Sequence, residues 1–259
     1  MRTASLQKVA LQLDERPDPV IDRPGTLVPF FERLYRLSIG DNPTVHILHF
    51  GDSHTASDDW TGVLRDLFQN RFGNGGAGFS LAGIPFKGYR RFDVHGGASK
   101  AWDPAGLRTG EGDGLFGLGG VSISTDRIGQ TIYLDADCAS VELDYLQQPG
   151  GGRVALSDNG ATVNESSTEG SLAPGFLAYA TSPGRHRITL EKQKTGVVYD
   201  SIGLNGASVS VPALIFNESH WAEELRHRNP DLVILNYGTN ESSFAAFLTR
   251  EYEIELREA

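Results

Sequence analysis

The sequence predicts an α/β fold: an open parallel sheet layered between helices, carrying a β-rich insert. Three observations carry that reading. The apolar run HILHFG at 46–51 ends in a small polar turn and is followed by a helical pattern. A second apolar run, introduced by Pro230 in PDLVILNYG, repeats the layout. Between them, from about residue 112 to 198, helical periodicity disappears and short alternating runs take over.

Taken in order, residues 1–25 form an amino-terminal extension, and the first part of the core spans 26–111. TLVPFFERLYRL, 26–37, reads as a helix with Leu27, Phe30, Phe31 and Leu34 on one face, an apolar stripe of the kind that covers a sheet. The first strand runs into Gly51, Asp52 and Ser53, which sets the serine hydroxyl at the carboxyl edge of the sheet, where ligands of open α/β sheets bind. DDWTGVLRDLFQNRFG, 58–73, follows as a helix with Trp60, Val63, Leu64, Leu67 and Phe68 at helical spacing. Ser57 or Asp58 can cap its start and Gly73 can end it. GNGGAG, 73–78, fits a dinucleotide-binding glycine pattern, but it follows a helix and precedes none, so it reads as a mobile loop flanking the sheet edge. Tyr89, Arg90 and Arg91 in that loop read as solvated surface within reach of a substrate.

In the insert, 112–198, the runs VSIST, QTIYLDA, SVELDYLQ, RVALSD, FLAYAT and HRITLEK are separated by Gly, Pro, Asn and Ser, which suggests a β-sandwich or jelly roll. The second part of the core, 199–259, holds the second strand, which ends in Gly238, Thr239 and Asn240. On one parallel sheet, Ser53 and Asn240 reach the same edge, where an Asn amide can donate to a developing oxyanion. The closing stretch SSFAAFLTREYEIELREA places Phe244, Leu248, Tyr252 and Leu256 on one helical face.

Composition narrows the function classes. With 23 Lys and Arg against 33 Asp and Glu, the formal charge is −10, which suits neither nucleic acid nor an anionic lipid surface as partner. Uncharged glycan or acyl groups fit better. Cys138 is the single cysteine, which excludes an intrachain disulfide and thiolate metal clusters. No apolar run is long enough to insert in a membrane, and the opening residues lack the apolar core of a signal peptide.

GDSH at 51–54 followed by GTNE at 238–241 resembles the first and third blocks of the SGNH, or GDSL, hydrolases, and YDSIGLNGASVS at 199–210 resembles the second. The run from Gly51 to Phe79 is similar to the subgroup of bacterial peptidoglycan O-acetylesterases, which carry a carbohydrate-binding-module-like β insert between the first two blocks. The resemblance implies a three-layer α/β/α, flavodoxin-like core and a serine esterase acting on acylated carbohydrate, without metal or organic cofactor. It implies Ser53 as nucleophile, with Gly206 and Asn240 in the oxyanion hole. It also favours the periplasm or cell envelope.

One departure matters. The family carries its catalytic Asp and His in a D-x-x-H block, and these 259 residues contain none, so the reading is of a core incomplete at its carboxyl end, with weak hydrolysis or none. None of the seven histidines shows an orienting carboxylate in the sequence. His54 adjoins Ser53, and in extended backbone the two would point apart; His46 and His49 would face opposite ways along their strand. His220 and His227 fall on a short helix before the third block, and His95 and His186 beside or within the insert. Two other readings stand beside the esterase of carbohydrate: an esterase of lipids or thioesters, and a non-enzymatic protein that binds glycan through its insert.

Overall fold

The computed structural model describes residues 25–41, 44–106, 112–187, 196–243 and 249–259, with the side chains of 181–187, 243, 249 and 250 outside that description. A three-stranded parallel sheet forms the centre, with β1 (Thr44–Gly51) between β9 (Gly196–Gly203) and β10 (Leu232–Asn236). Continuous apolar runs suit strands of a parallel sheet because both faces are covered. Every residue of β1 and β9 is buried.

Helices lie on both faces, so the layers are α/β/α. On one face α1 (Val28–Ser38) sends Phe30 and Leu34 onto Val45, Ile47, Val197 and Tyr199. The stripe is corrected from the sequence reading. Helix α1 starts one residue after Leu27, and the i, i+4, i+7 row selects Phe30, Leu34 and Leu37, leaving Phe31 58% exposed.

The same face carries α3 (Asp59–Phe72), which Gly73 ends at φ 98°. Its expected apolar face divides. Leu64, Phe68 and Phe72 pack on the core, whereas Val63 and Leu67 are exposed because the buried side of the first turns is taken by Thr61, Gly62 and Arg65. Asp58 does not cap the helix with its side chain. Its carboxylate instead accepts two hydrogen bonds from Arg65, at 2.9 and 2.8 Å. The opposite face is covered by α4 (Glu218–Arg228), whose Trp221 and Leu225 meet Leu48, Phe50 and Ile202.

The β-rich region is antiparallel. QTIYLDA and SVELDYLQ join into one long strand, β5 (Ile132–Gln147), across a bulge between Cys138 and Ser140. FLAYAT and the start of HRITLEK likewise join in β8 (Ala173–Arg187), and residues 188–195 lie outside the described residues. The order is β2-β5-β8, and β2 (His95–Ala98) shows that this pairing begins upstream of residue 112. A second pair joins β3 (Asp103–Gly106) to β4 (Val121–Ser124). The hairpin of β6 (Arg153–Asp158) and β7 (Ala161–Ser167) turns through Asn159 and Gly160, both at positive φ, as a two-residue turn of the primed type requires.

This region is fixed to α4 by His227, whose ring stacks 3.6 Å from Phe176 and whose Nε2 lies 2.8 Å from Glu142. A last helix, α5 (Thr249–Glu258), carries Tyr252 and Leu256; Phe244 and Leu248 of its expected face lie outside the described residues. The Tyr252 hydroxyl donates to the Tyr237 carbonyl at 3.1 Å, and Leu256 is 36% exposed.

Candidate active site

The sheet register sets the site. Gly51 stands opposite both Gly203 and Asn236, so the turns that leave β1, β9 and β10 depart from one level of one edge. Those turns hold Ser53, Gly206 and Asn240. Ser53 begins the short helix α2 (Ser53–Ala56), and it is partly exposed. Two glycines let that helix lie directly on the sheet. A Cβ on Gly51 would stand 2.2 Å from Thr55 Oγ1, and one on Gly203 would stand 2.0 Å from the Ala56 nitrogen. Gly203 was not singled out in the sequence, since only the packing of α2 reveals the demand.

The second and third turns are tied together by side chains. Asn240 Nδ2 donates to the Ala207 carbonyl at 2.6 Å, which fixes the amide orientation and leaves its second N–H for another acceptor. Glu241, buried, accepts the Val209 N–H at 2.6 Å through one oxygen and the Gly238 N–H at 2.9 Å through the other. Gly206 has φ 80° and an exposed backbone, with no atom near the position a Cβ would take. Its turn is joined to the 80–92 loop by Asn205, whose amide donates to the Lys87 carbonyl at 3.2 Å.

No known family profile matches this chain, and no curated protein matches it. Among solved structures, a peptidoglycan O-acetylesterase is similar to it with a TM-score of 0.64 and 27% sequence identity. The match covers 89% of this chain and 69% of that one. The chain shares its fold with an esterase.

At the same edge, Asp52 and His54 bring a finding that the sequence did not. Ser53 and His54 stand in the first turn of a helix rather than in extended backbone, so the two side chains are about 100° apart rather than opposed. Asp52 is 1% exposed and accepts two bonds from His54, from its N–H at 2.9 Å and from Nδ1 at 3.1 Å. The first caps α2. The second turns Nε2 away from the carboxylate, and the His54 side chain is 60% exposed. His227 also has a carboxylate partner in Glu142, and His220 stands 3.7 Å from Glu224.

Burial sets the charge states nearby. His49 lies beneath the edge against Trp60 and bonds the Tyr199 hydroxyl at 2.6 Å; burial lowers its pKa to about 4. His46, three residues earlier, falls on the other face of the strand. Burial, followed by the charges of Asp52 and Glu241, pushes the Tyr237 hydroxyl above its ordinary range. Burial raises Glu224 to about 7 and lowers His220, favouring the neutral form of each. Among the described residues, no group of three or more His, Cys, Asp or Glu is placed to hold a metal, and no helix is long and apolar enough to cross a membrane.

The 74–94 loop departs from the sequence reading. Asn74 bridges β9 at Val197, and Arg91, expected at the surface, is buried. Its guanidinium donates to the carbonyls of Ala77 and Phe79 and to Asp93. Burial opposes that charge, but Asp93, Tyr89, Asp58 and Asp200 hold its pKa above the usual value. Tyr89 faces inward, its hydroxyl accepting from the Leu81 N–H at 3.0 Å. Arg90 is exposed.

Proposed function

We propose that this chain is a serine ester hydrolase that removes acyl groups, acetyl above all, from carbohydrate. The observation that carries the reading is the register of Gly51 with Gly203 and Asn236, which delivers a serine, a glycine turn and an asparagine amide to one edge. The likeness to a peptidoglycan O-acetylesterase supports the substrate class.

Ser53 Oγ attacks the acyl carbonyl while its proton passes to an imidazole, for which His54, held at Nδ1 by Asp52, is the candidate beside it. The Ser53 and Gly206 amides and the Asn240 side chain receive the oxyanion, the charge that develops only as the bond forms. The imidazolium then protonates the departing sugar oxygen, leaving acyl-Ser53. Water, losing its proton to the same imidazole, releases the acid and restores the serine. A base is required because a serine hydroxyl is a weak nucleophile at neutral pH. No metal or organic cofactor enters this route.

Acetate release from O-acetylated peptidoglycan and from p-nitrophenyl acetate tests the reading. Ser53→Ala is expected to abolish both. Hydrolysis that survives this change at the wild-type rate would remove Ser53 from the mechanism. Fast turnover that depends on Ser53 and falls with His54→Gln would place the base at His54.

A further inference from the structure

A cleft of ≈310 Å³ opens beside α3, lined by Asp59, Gly62, Arg65, Asp66, Phe92 and Asp93 among others. Asp59 of its lining heads α3, the helix that follows α2 in the chain, and the 90–93 turn is joined to α2 by the Arg90 N–H, which donates to the Ala56 carbonyl at 3.4 Å. We propose that this cleft is a glycan subsite in which Phe92 stacks against a neutral hexopyranose ring, Asp59, Asp66 and Asp93 accepting hydroxyl hydrogen bonds. The proposal rests on the carbohydrate-ester reading and extends it to the neighbouring sugar of the chain.

The Phe92 ring is 57% exposed, yet its backbone is held from within the protein. Its N–H donates at 3.0 Å to Asp58, a carboxylate with no exposure. That carboxylate is bound by Arg65, which also reaches Asp93 at 3.2 Å, and it lies 3.8 Å from Arg91. Burying such a network carries a desolvation cost that its ion pairs do not reliably recover. Its result here is the fixed geometry of the 90–93 turn, with an aromatic ring held out to solvent beside Gly62, where a Cβ would come to 3.5 Å of the ring. A rigid exposed ring loses little freedom on binding.

The polar lining selects the ligand class. Arg65 is committed to Asp58 and Asp93, Asp93 is shared with Arg91, and Asp59 pairs with Arg90, so what faces a ligand is the lone pairs these carboxylates keep, together with Asp66. These suit hydroxyl donors and repel phosphate and carboxylate groups. The Arg90 guanidinium lies over the Phe92 ring, 5.9 Å from its centroid, and 3.4 Å from Asp59, so a positive charge of the chain itself already takes the place a cationic ligand would seek.

The test is titration of the whole chain with a soluble N-acetylglucosamine tetramer, followed by NMR or calorimetry, with choline as the competing probe. Saturable binding is expected, weakened about tenfold by Phe92→Leu, which keeps apolar bulk without the ring, and retained by Phe92→Trp. Asp66→Asn, at an exposed position, is expected to weaken it less. No binding, binding unchanged in Phe92→Leu, or displacement by choline would overturn the subsite. Because the readout is binding, it stands apart from Ser53-dependent hydrolysis, and either result can fail without the other.

Discussion

The two flanks of the central sheet are built differently. On the β9 side every strand residue is buried, and the outer edge is closed by the chain around Asn74, where Val197 donates to the Gly73 carbonyl at 2.7 Å and accepts from Gly75 at 3.0 Å. On the β10 side no strand residue is fully buried, although the sequence LVILN is apolar, and Val233 is 44% exposed. Thus the helix that begins at Ser53 stands on packing against Gly51 and Gly203, whereas the turn with Asn240 is held chiefly by hydrogen bonds from Asn240 and Glu241, which also tie it to the exposed turn at Gly206. With one side held by packing and the other by tethers, an error in position falls first on the turn that carries Asn240.

The largest effect is expected where packing and charge combine. Asp58 and Arg65 are both buried, and although burial alone would raise the Asp58 carboxyl, the Arg65 hydrogen bond and the Arg91 and Arg65 charges hold its pKa below the ordinary value. Arg65→Met is expected to leave that carboxylate uncompensated at a cost of about 3–5 kcal/mol, read as a lower urea midpoint. A change below 1 kcal/mol would show the β9 flank to be no more rigid than its counterpart.

His49 sharpens the same side through pH. Its folded pKa of about 4 lies below the ordinary histidine value of 6.5. Between these values the unfolded chain binds a proton that the folded chain does not, so stability falls as pH drops through that window. The loss approaches about 3 kcal/mol below pH 4 and vanishes above 6.5. Glu224 works in the opposite sense. Its raised pKa of about 7 means the folded form keeps its proton while the unfolded form releases it, so stability falls as pH rises from 4.5 to 7. Urea midpoints of wild type and His49→Gln across pH 4–7 isolate the histidine: the wild type is expected to lose more on acidification, and parallel curves would refute the assignment.

The β10 flank is probed by Glu241→Ala. Losing both backbone tethers is expected to lower kcat for p-nitrophenyl acetate by about tenfold to hundredfold, the size of a weakened oxyanion donor, with little change in KM. Glu241→Gln retains one acceptor and is expected to recover part of that loss. Equal losses in both variants, or a pure KM effect, would assign Glu241 a structural role only.

How much of this was legible in the sequence depends on which force made the contact. The strands, the α3 region and the placement of Ser53 and Asn240 followed from apolar periodicity, because parallel strands and amphipathic helices write their burial into residue order. The Asp52–His54 pair was missed because it depends on α2 starting at Ser53 rather than on an extended chain. Gly203 and the Arg91 network were missed for a different reason: each is defined by atoms far apart in sequence, as when Asp200 accepts the Phe79 N–H at 2.6 Å and pairs with Arg228 at 2.8 Å. Periodicity carries no record of such contacts.

The smallest expected effect concerns the open edge itself. Among the described residues β10 pairs only with β1, so its outer backbone groups and Val233 present an apolar edge, the type of surface that recruits other strands. Val233→Lys adds a charge that deters edge-to-edge pairing, at a stability cost within about 0.5 kcal/mol for a surface position. Light scattering at rising protein concentration is expected to show less self-association in the variant, with an unchanged urea midpoint. A drop in the midpoint comparable to that of Arg65→Met would mean that Val233 is packed as firmly as the β9 side, and the contrast between the flanks would have to be given up.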